Sequence, residues 1–439
     1  MNRSFYIIMA AQFFSSLADN ALLIAAIALL AQLNALAWMT PLLKLFFVLS
    51  YVILAAFVGA FADSRPKGNV MFITNTIKFV GCVVMLFGSH PLFAYAIVGL
   101  GAAAYSPAKY GILTELLPPE KLVAANGWIE GLTVGSIIMG TVLGGVLISS
   151  TVSQSLLSFD IPAFDTGIDT PAESAIMIIM TIYVIAALIN LRIPDTGARY
   201  VSQKTNPIEL VKDFAVCFKT LWNDRLGQIS LAVTTLFWGA GATLQFIVIK
   251  WAQVALHMTL SQGAILQAIS AVGVAGGAVW AAWRVPLRHS LSVLPYGIAM
   301  GLVVCVMAVY NSDMLPDTVL WTVGKLQVNL NLIPAYFLLI LVGWLAGYFV
   351  VPMNALLQHR GHVLMSAGHS IAVQNFNENI SVLVMLLVYS LLIWLDASVQ
   401  YVIIGFGIAV SLIMWMVIKR HAANQAEYDS MHLIGEHKH

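Results

Sequence analysis

The chain has 439 residues, 60% of them hydrophobic and 9% charged, with a mean hydropathy of +0.88. At about 20 apolar residues per membrane-spanning helix, about twelve helices absorb nearly all of this content and leave no room for an extramembrane domain of ordinary size. That excludes a water-soluble globular protein, and a net charge of +1 with scattered basic residues carries no footprint for nucleic acid.

Apolar runs predict spans at 5–33, 41–61, 70–88, 92–113, 124–148 and 174–191, then at 229–256, 264–283, 291–310, 332–357, 366–395 and 399–418. The fold class expected is an all-α membrane protein of twelve transmembrane helices in two six-helix bundles, 1–191 and 229–418, with a linker at 192–228 and a tail at 419–439. The first span begins too early and runs too long for a signal-peptide core. Both termini and one set of alternate loops hold sixteen of the 21 Lys and Arg, and the opposite set holds only Lys325. Because basic side chains resist translocation, both termini are expected in the cytoplasm. In the linker, Asn206-Pro207-Ile208-Glu209 predicts a helix start, with a cap, a first-turn Pro and a Glu set for a capping box. Ile208, Val211, Phe214, Ala215, Phe218, Leu221 and Trp222 then form one apolar face, opposite Glu209, Lys212, Asp213 and Lys219. Such a helix either lies on the cytoplasmic membrane face or packs on a bundle.

The halves repeat faintly. Pro107-Ala108-Lys109 precedes Asn126 and Glu130 as Pro352-Met353-Asn354 precedes Gln374 and Glu378, as a duplicated transporter bundle would show.

Seven charged residues fall within the spans: Asp19, Lys44, Lys78, Lys109, Glu130, Lys250 and Glu378. Each costs about 2.5–3.5 kcal/mol at a bilayer centre unless paired or hydrated. Lys44 and Lys250 lie near span ends, where their stems can carry the ammonium to the interface. Lys78 is ambiguous by depth. Asp19 is about 21 Å into the first span and too short to reach either surface. Glu378 is comparably deep, and Gln374, Asn375, Asn377 and Asn379 spread amides around its helix, so that segment faces protein or water, as polar glue or as part of a pathway. Lys109 and Glu130 suit an ion pair across the fourth and fifth spans; alternatively Lys109 offers a cation to an anionic substrate, with Pro107 loosening its helix. Gly131, Gly135, Gly140, Gly144 and Gly145, with Gly273, Gly276 and Gly277, predict close helix contacts that also suit a gate. No cofactor or metal site is expected. Cys82, Cys217 and Cys305 show no ligand spacing, and His359 and His362, read as flanking a four-residue turn, and His432, His437 and His439 in the tail have no carboxylate or Cys cluster beside them.

At the second loop, Gly59-Ala-Phe-Ala-Asp63-Ser-Arg65-Pro-Lys67-Gly68 resembles the G-x-L-A-D-x-x-G-R-K loop of the major facilitator superfamily, with Pro66 in place of a Gly; the corresponding loop at 284–288 lacks the Asp. The resemblance gives Asp63 a latching role at a neighbouring helix end, with Arg65, Lys67, Pro107 and Glu130 counted among gating or structural residues. Ala11-Gln-Phe-Phe-Ser-Ser-Leu-Ala-Asp19-Asn20, Gly101-Ala-Ala-Ala-Tyr105-Ser-Pro107-Ala-Lys109-Tyr110, Phe237-Trp-Gly-Ala-Gly241, Pro352-Met-Asn354-Ala-Leu-Leu-Gln358 and Ile371-Ala-Val-Gln374-Asn375 are similar to the bacterial lysophospholipid transporters of that superfamily.

This likeness implies movement of 2-acyl-glycerophosphoethanolamine and related lysolipids into the cytoplasmic leaflet of the bacterial inner membrane, for re-esterification by an acyltransferase partner. A phosphate and an ammonium ask for Lys109 and for Asp19 or Glu378, and the implied substrate set adds Asn20, Tyr105, Gln245, Asn354 and Gln374. The family has an Arg in the seventh span near Gln245, so this half holds the headgroup less tightly. Two rivals are a proton-coupled drug or metabolite antiporter, favoured by Gly140-Thr-Val-Leu-Gly144-Gly145, and a membrane acyltransferase, which lacks a nucleophile or His-Asp box.

Overall fold

The computed structural model describes residues 3–35, 39–157, 169–200, 206–258, 260–323 and 326–435. Lys204, Lys325, Lys438, His437 and His439 lie outside them. Fifteen α-helices follow the apolar runs: α1 (Arg3–Gln32), α2 (Met39–Ile53), α3 (Ala55–Asp63), α4 (Lys67–Leu86), α5 (Pro91–Leu116), α6 (Leu122–Leu147), α7 (Ser150–Leu157), α8 (Pro171–Asn190), α9 (Pro207–Asn223), α10 (Gly227–Ala255), α11 (Leu260–Arg284), α12 (Leu294–Val309), α13 (Ile333–Leu364), α14 (Ala367–Trp394) and α15 (Val399–Glu427). Among the described residues eleven helices are long and apolar enough to cross a membrane, or twelve with α2 and α3 as one span bent by 65°. Leu54 makes that break, its ψ of −3° lying far from the helical value.

Helix starts use the local chemistry that orphan N–H groups demand. Thr170 Oγ1 accepts from Glu173 N while Glu173 Oε2 accepts from Thr170 N, a capping box with Pro171 in the first turn of α8. Asn206 Oδ1 accepts from Ile208 N at 3.0 Å to open α9 where the sequence predicts it. Three features depart from the expected plan. A hairpin, β1 (Val319–Val323) with β2 (Leu326–Asn329), occupies the connection before α13. The short α7 follows α6. Finally, α13 continues to Leu364, so His359 and His362 stand on a helix and not in a turn, because Arg360 and its neighbours are buried instead of turning in solvent.

Contacts group the chain into two compact units. The first contains Met1–Leu117, Gly135–Lys219 and Leu364–Phe376, and the second contains Pro118–Val134, Thr220–Val363 and Asn377–His439. The first has a core of Leu22, Leu30, Leu43, Cys82, Tyr95, Val98, Ile176, Ile179 and Tyr183, where α1, α2, α4, α5 and α8 meet. There Gly140 and Gly144 press α6 onto α1, since a Cβ would meet Leu17 O at 2.6 Å and Ala21 O at 2.8 Å. Among the described residues, a Cβ at Gly131, Gly135 or Gly145 would meet nothing from a neighbouring element within 4 Å, so only part of the expected stripe is a contact. In the second unit α12 packs on α15, and α11 meets α13 at Gly273, Gly277, Gly343 and Gly347, whose missing side chains admit the opposing backbone.

Candidate functional site

In the first unit α1 brings Asp19 to face α4 and α8. Lys78 Nζ lies 2.8 Å from Asp19 Oδ2, and the Tyr183 hydroxyl donates to Asp19 Oδ1 at 2.7 Å. Lys78 also donates to Ser15 Oγ at 3.0 Å, and Ser15 donates to Asn75 Oδ1 at 2.7 Å. The rings of Tyr105 and Tyr183 lie 4.9 and 5.7 Å from the ammonium. Depth alone singles out Asp19; its pairing with Lys78 joins helices 59 positions apart and had no signal in the sequence. The ammonium is sealed, with a side-chain exposure of 1%, while the carboxylate retains 19%. Asn20 points elsewhere, donating to Ser16 O of its own helix.

A second charge cluster in this unit surrounds Asp63 at the end of α3. Lys67 Nζ, Ser366 Oγ and the Gly368 N–H donate to its carboxylate, the last at 3.0 Å, and His369 Nδ1 lies 3.0 Å from Oδ2. Lys67 also donates to Ala62 O at 2.8 Å and lies 3.4 Å from Glu115. Glu115 in turn accepts from Thr196 and Tyr200 in the stretch after α8. Burial and the Glu115 charge raise the Tyr200 phenol, which keeps it a donor. Arg65 is exposed. Ser366, His369, Glu115 and Tyr200 are the members that sequence reasoning missed. Gly59 permits the approach of α14, since a Cβ would meet His369 Cα at 2.9 Å.

The remaining candidates scatter. Lys109 lies over the Tyr110 ring at 4.1 Å on α5, which runs unbroken through Pro107, and Ser106 exchanges hydrogen bonds with Asn375. In the second unit Asn354 Nδ2 donates to Glu130 Oε1 at 3.4 Å. Asn126 and Gln358 donate to each other's carbonyl oxygens, both at 2.9 Å. Glu378 and Gln374 are buried, and neighbouring Asn377 accepts from Trp222 Nε1. Gln245 accepts at its backbone oxygen from Gln267 Nε2 at 3.2 Å. Arg360, outside the expected set, holds Asp224 through two hydrogen bonds at 3.2 and 2.7 Å while Asp224 caps α10.

Residues 8–381 match the family model of the Major Facilitator Superfamily. The chain is 39% identical over 400 residues to the lysophospholipid transporter LplT of Yersinia pestis (strain Pestoides F), covering 91% of this chain and 89% of that protein. The same figures hold for LplT of Yersinia pseudotuberculosis serotype I (strain IP32953). Among solved structures, an outward-facing bacterial homologue of the iron transporter ferroportin matches with a TM-score of 0.68 at 13% identity, over 96% of this chain and 100% of the other. The E. coli fucose:proton symporter FucP matches at 0.67 and 14%, over 95% and 98%. At such identities these structures speak for the fold alone.

Proposed function

The chain belongs to the Major Facilitator Superfamily and, within it, to the bacterial lysophospholipid transporters, and we propose that it moves 2-acyl-glycerophosphoethanolamine and related lysolipids into the cytoplasmic leaflet of the inner membrane, where an acyltransferase re-esterifies them. As a member of that family it is a multi-pass membrane transporter. The observation that carries the substrate class is 39% identity over nine-tenths of the chain to transporters named for lysophospholipid.

The reading assigns both termini to the cytoplasm, on the basic asymmetry of the loops, and treats 1–191 and 229–418 as the bodies that rock in alternating access. A lysolipid is already dissolved in the bilayer, so it enters laterally and needs no aqueous mouth. Its acyl chain asks for an apolar wall; its headgroup asks for a cation and an anion in a place shielded from water, where each is worth more than at the surface. Asp19 supplies the carboxylate in this scheme and Lys109 a cation, with Asn20, Tyr105, Gln245, Asn354, Gln374 and Glu378 as the further substrate-binding residues. Asp63, Lys67 and Arg65 form the gate in this scheme, and Pro107 and Glu130 are counted with them as gating or structural residues. Because Asp63 holds the first residues of α14 through Ser366, Gly368 and His369, that gate opens only when those bonds break together.

Consumption by re-acylation pulls the substrate inward, so proton coupling is not obligatory. Proteoliposomes loaded with the pure transporter and labelled lysophosphatidylethanolamine test this. The expected result is protein-dependent movement between leaflets that survives collapse of the proton gradient. Movement that stops with the gradient overturns facilitated flipping in favour of the proton-coupled carrier, and no movement at all overturns the substrate class.

A further inference from the structure

The Asp19–Lys78 pair sits among hydrogen-bond donors that it does not use. Asn75, one turn before Lys78 on α4, is fully buried, and its Nδ2 has no acceptor among the described residues, although its Oδ1 is engaged by Ser15. The hydroxyl of Tyr105, whose ring faces the Lys78 ammonium, is likewise buried and makes no hydrogen bond of good geometry among the described residues, with only the already engaged Ser15 hydroxyl near it. A buried donor left unmade is costly. Two of them beside a sealed cation form a donor set with too few acceptors, the composition of an anion site.

We infer that Lys78, Asn75 and Tyr105 form a phosphodiester subsite whose place is held by the Asp19 carboxylate until a headgroup arrives. The inference rests on the lysophospholipid reading and names the chemistry within it, with Lys78 in place of Lys109 as the cation that meets the phosphate. A diester phosphate carries one negative charge over two unsubstituted oxygens. It replaces Asp19 on Lys78 and gives the Asn75 amide and the Tyr105 hydroxyl their missing acceptors. Displaced from Lys78, Asp19 keeps the Tyr183 hydroxyl and needs a new cation, which an ethanolamine ammonium supplies.

The zwitterionic headgroup thus enters by exchanging partners with an internal ion pair, and no unpaired charge is left behind in a low-dielectric interior. A headgroup with the phosphate but no ammonium frees Asp19 without satisfying it, so discrimination against lysophosphatidylglycerol is built into the pair. The 19% exposure of Asp19 against 1% for Lys78 fits a carboxylate that swings aside to uncover the cation.

The test is equilibrium binding to the full-length protein in lipid nanodiscs, with thermal melting run on every variant. The probes are lysophosphatidylethanolamine, lysophosphatidylglycerol, glycerophosphoethanolamine and a monoacylglycerol, which has the chain but no phosphate. Tyr105→Phe and Asn75→Ala, which leave all charges in place, are expected to weaken both lysophospholipids about five- to tenfold and the monoacylglycerol not at all. Asp19→Asn is expected to weaken lysophosphatidylethanolamine but to tighten lysophosphatidylglycerol about fivefold or more, because the competing internal anion is gone. Adding Lys78→Met to Asp19→Asn abolishes that gain.

A merely structural ion pair predicts no tightening. If Asp19→Asn melts normally and binds lysophosphatidylglycerol no better than wild type, or if Tyr105→Phe and Asn75→Ala leave lysophospholipid binding unchanged, the subsite is wrong while the lysolipid reading stands. If wild type binds glycerophosphoethanolamine through Tyr105 and Asn75 yet neither lysophospholipid, the subsite stands as a site for free phosphodiesters and the lysolipid reading fails.

Discussion

The first unit buries two Asp–Lys pairs, and they differ in how completely their hydrogen bonds are spent. Around Asp63 the carboxylate meets Lys67, Ser366, the Gly368 amide and His369, while Lys67 turns its other donors to Ala62 O and Glu115. Around Asp19 the carboxylate has Lys78 and Tyr183, part of it remains open, and two neighbouring donors, on Asn75 and Tyr105, lack a well-placed acceptor among the described residues. Both are lysine–aspartate pairs taken from water, and both repay that cost only if their geometry is good. The saturated one has no capacity left for a ligand, and in the proposed gate it holds helices together until a transition breaks it. The unsaturated one has capacity to exchange.

The largest expected effect comes from Asp63→Asn. An amide cannot accept from all of the donors converging there, and Lys67, at 2% exposure, loses its nearest counter-charge. Removing one partner of a buried pair costs about 3–5 kcal/mol. Glu115 at 3.4 Å offsets part of it, so a loss near the low end of that range is expected, read as a lower melting temperature in detergent. Lysolipid movement in proteoliposomes should fall at least about tenfold with it. Asp19→Asn also strips a buried lysine, Lys78 at 1% exposure, of its counter-charge and should lower melting as well, but unlike Asp63→Asn it should in addition change which lysolipid is bound. A variant at Asp63 that melts like wild type but shifts headgroup preference would invert the assignment of the two pairs.

The spans were legible because apolar runs of that length have one physical solution in a bilayer. The bend at Leu54 was not, since no Pro or Gly stands at it and residues 51–58 around it are all apolar. Helix ends beyond the membrane were misjudged for a related reason. Past 357 and 418 the sequence turns polar, yet α13 and α15 continue to Leu364 and Glu427 because Arg360 finds Asp224 and Asn424 finds Arg225 O. At the site, depth alone marked Asp19, while Lys78 stayed ambiguous because its partner is distant in sequence. Glu115 and His369 gave no signal, being polar residues near span ends where polar residues are ordinary. In each case the missing information was which helices touch.

The contrast extends to uncharged groups in the second unit. Asn126 on α6 and Gln358 on α13 satisfy each other with two hydrogen bonds and are both buried, so by the same reasoning they are structural. Asn126→Ala should destabilise by about 1–3 kcal/mol, because the Gln358 amide is left unpaired, and Gln358→Ala by a similar amount. The double variant, which leaves no lone amide, should lose less than the sum of the two, with a coupling of about 0.5–3 kcal/mol on melting. Additive losses would show that each amide is independently satisfied, and saturation would then not identify a structural pair.

The smallest effect is expected where an aspartate pairs with a cation in the open. Asp195 meets Arg199 through two hydrogen bonds at 3.0 and 2.7 Å and accepts from Gly197 N, and these contacts hold its carboxyl down to about 2. The sign follows from that depression. An unfolded aspartate titrates at 3.8, so any stabilisation from the pair is fully present above that pH and is lost as pH falls through the folded value. The side chain is 43% exposed, however, and water and salt screen it. Asp195→Asn should therefore leave melting at neutral pH, and its dependence on salt, indistinguishable from wild type, with a difference emerging, if anywhere, between pH 4 and pH 2. A clear loss at neutral pH would mean that this exposed pair fixes the chain after α8, through neighbouring Thr196 and Tyr200 on Glu115, and so belongs with the saturated cluster around Asp63.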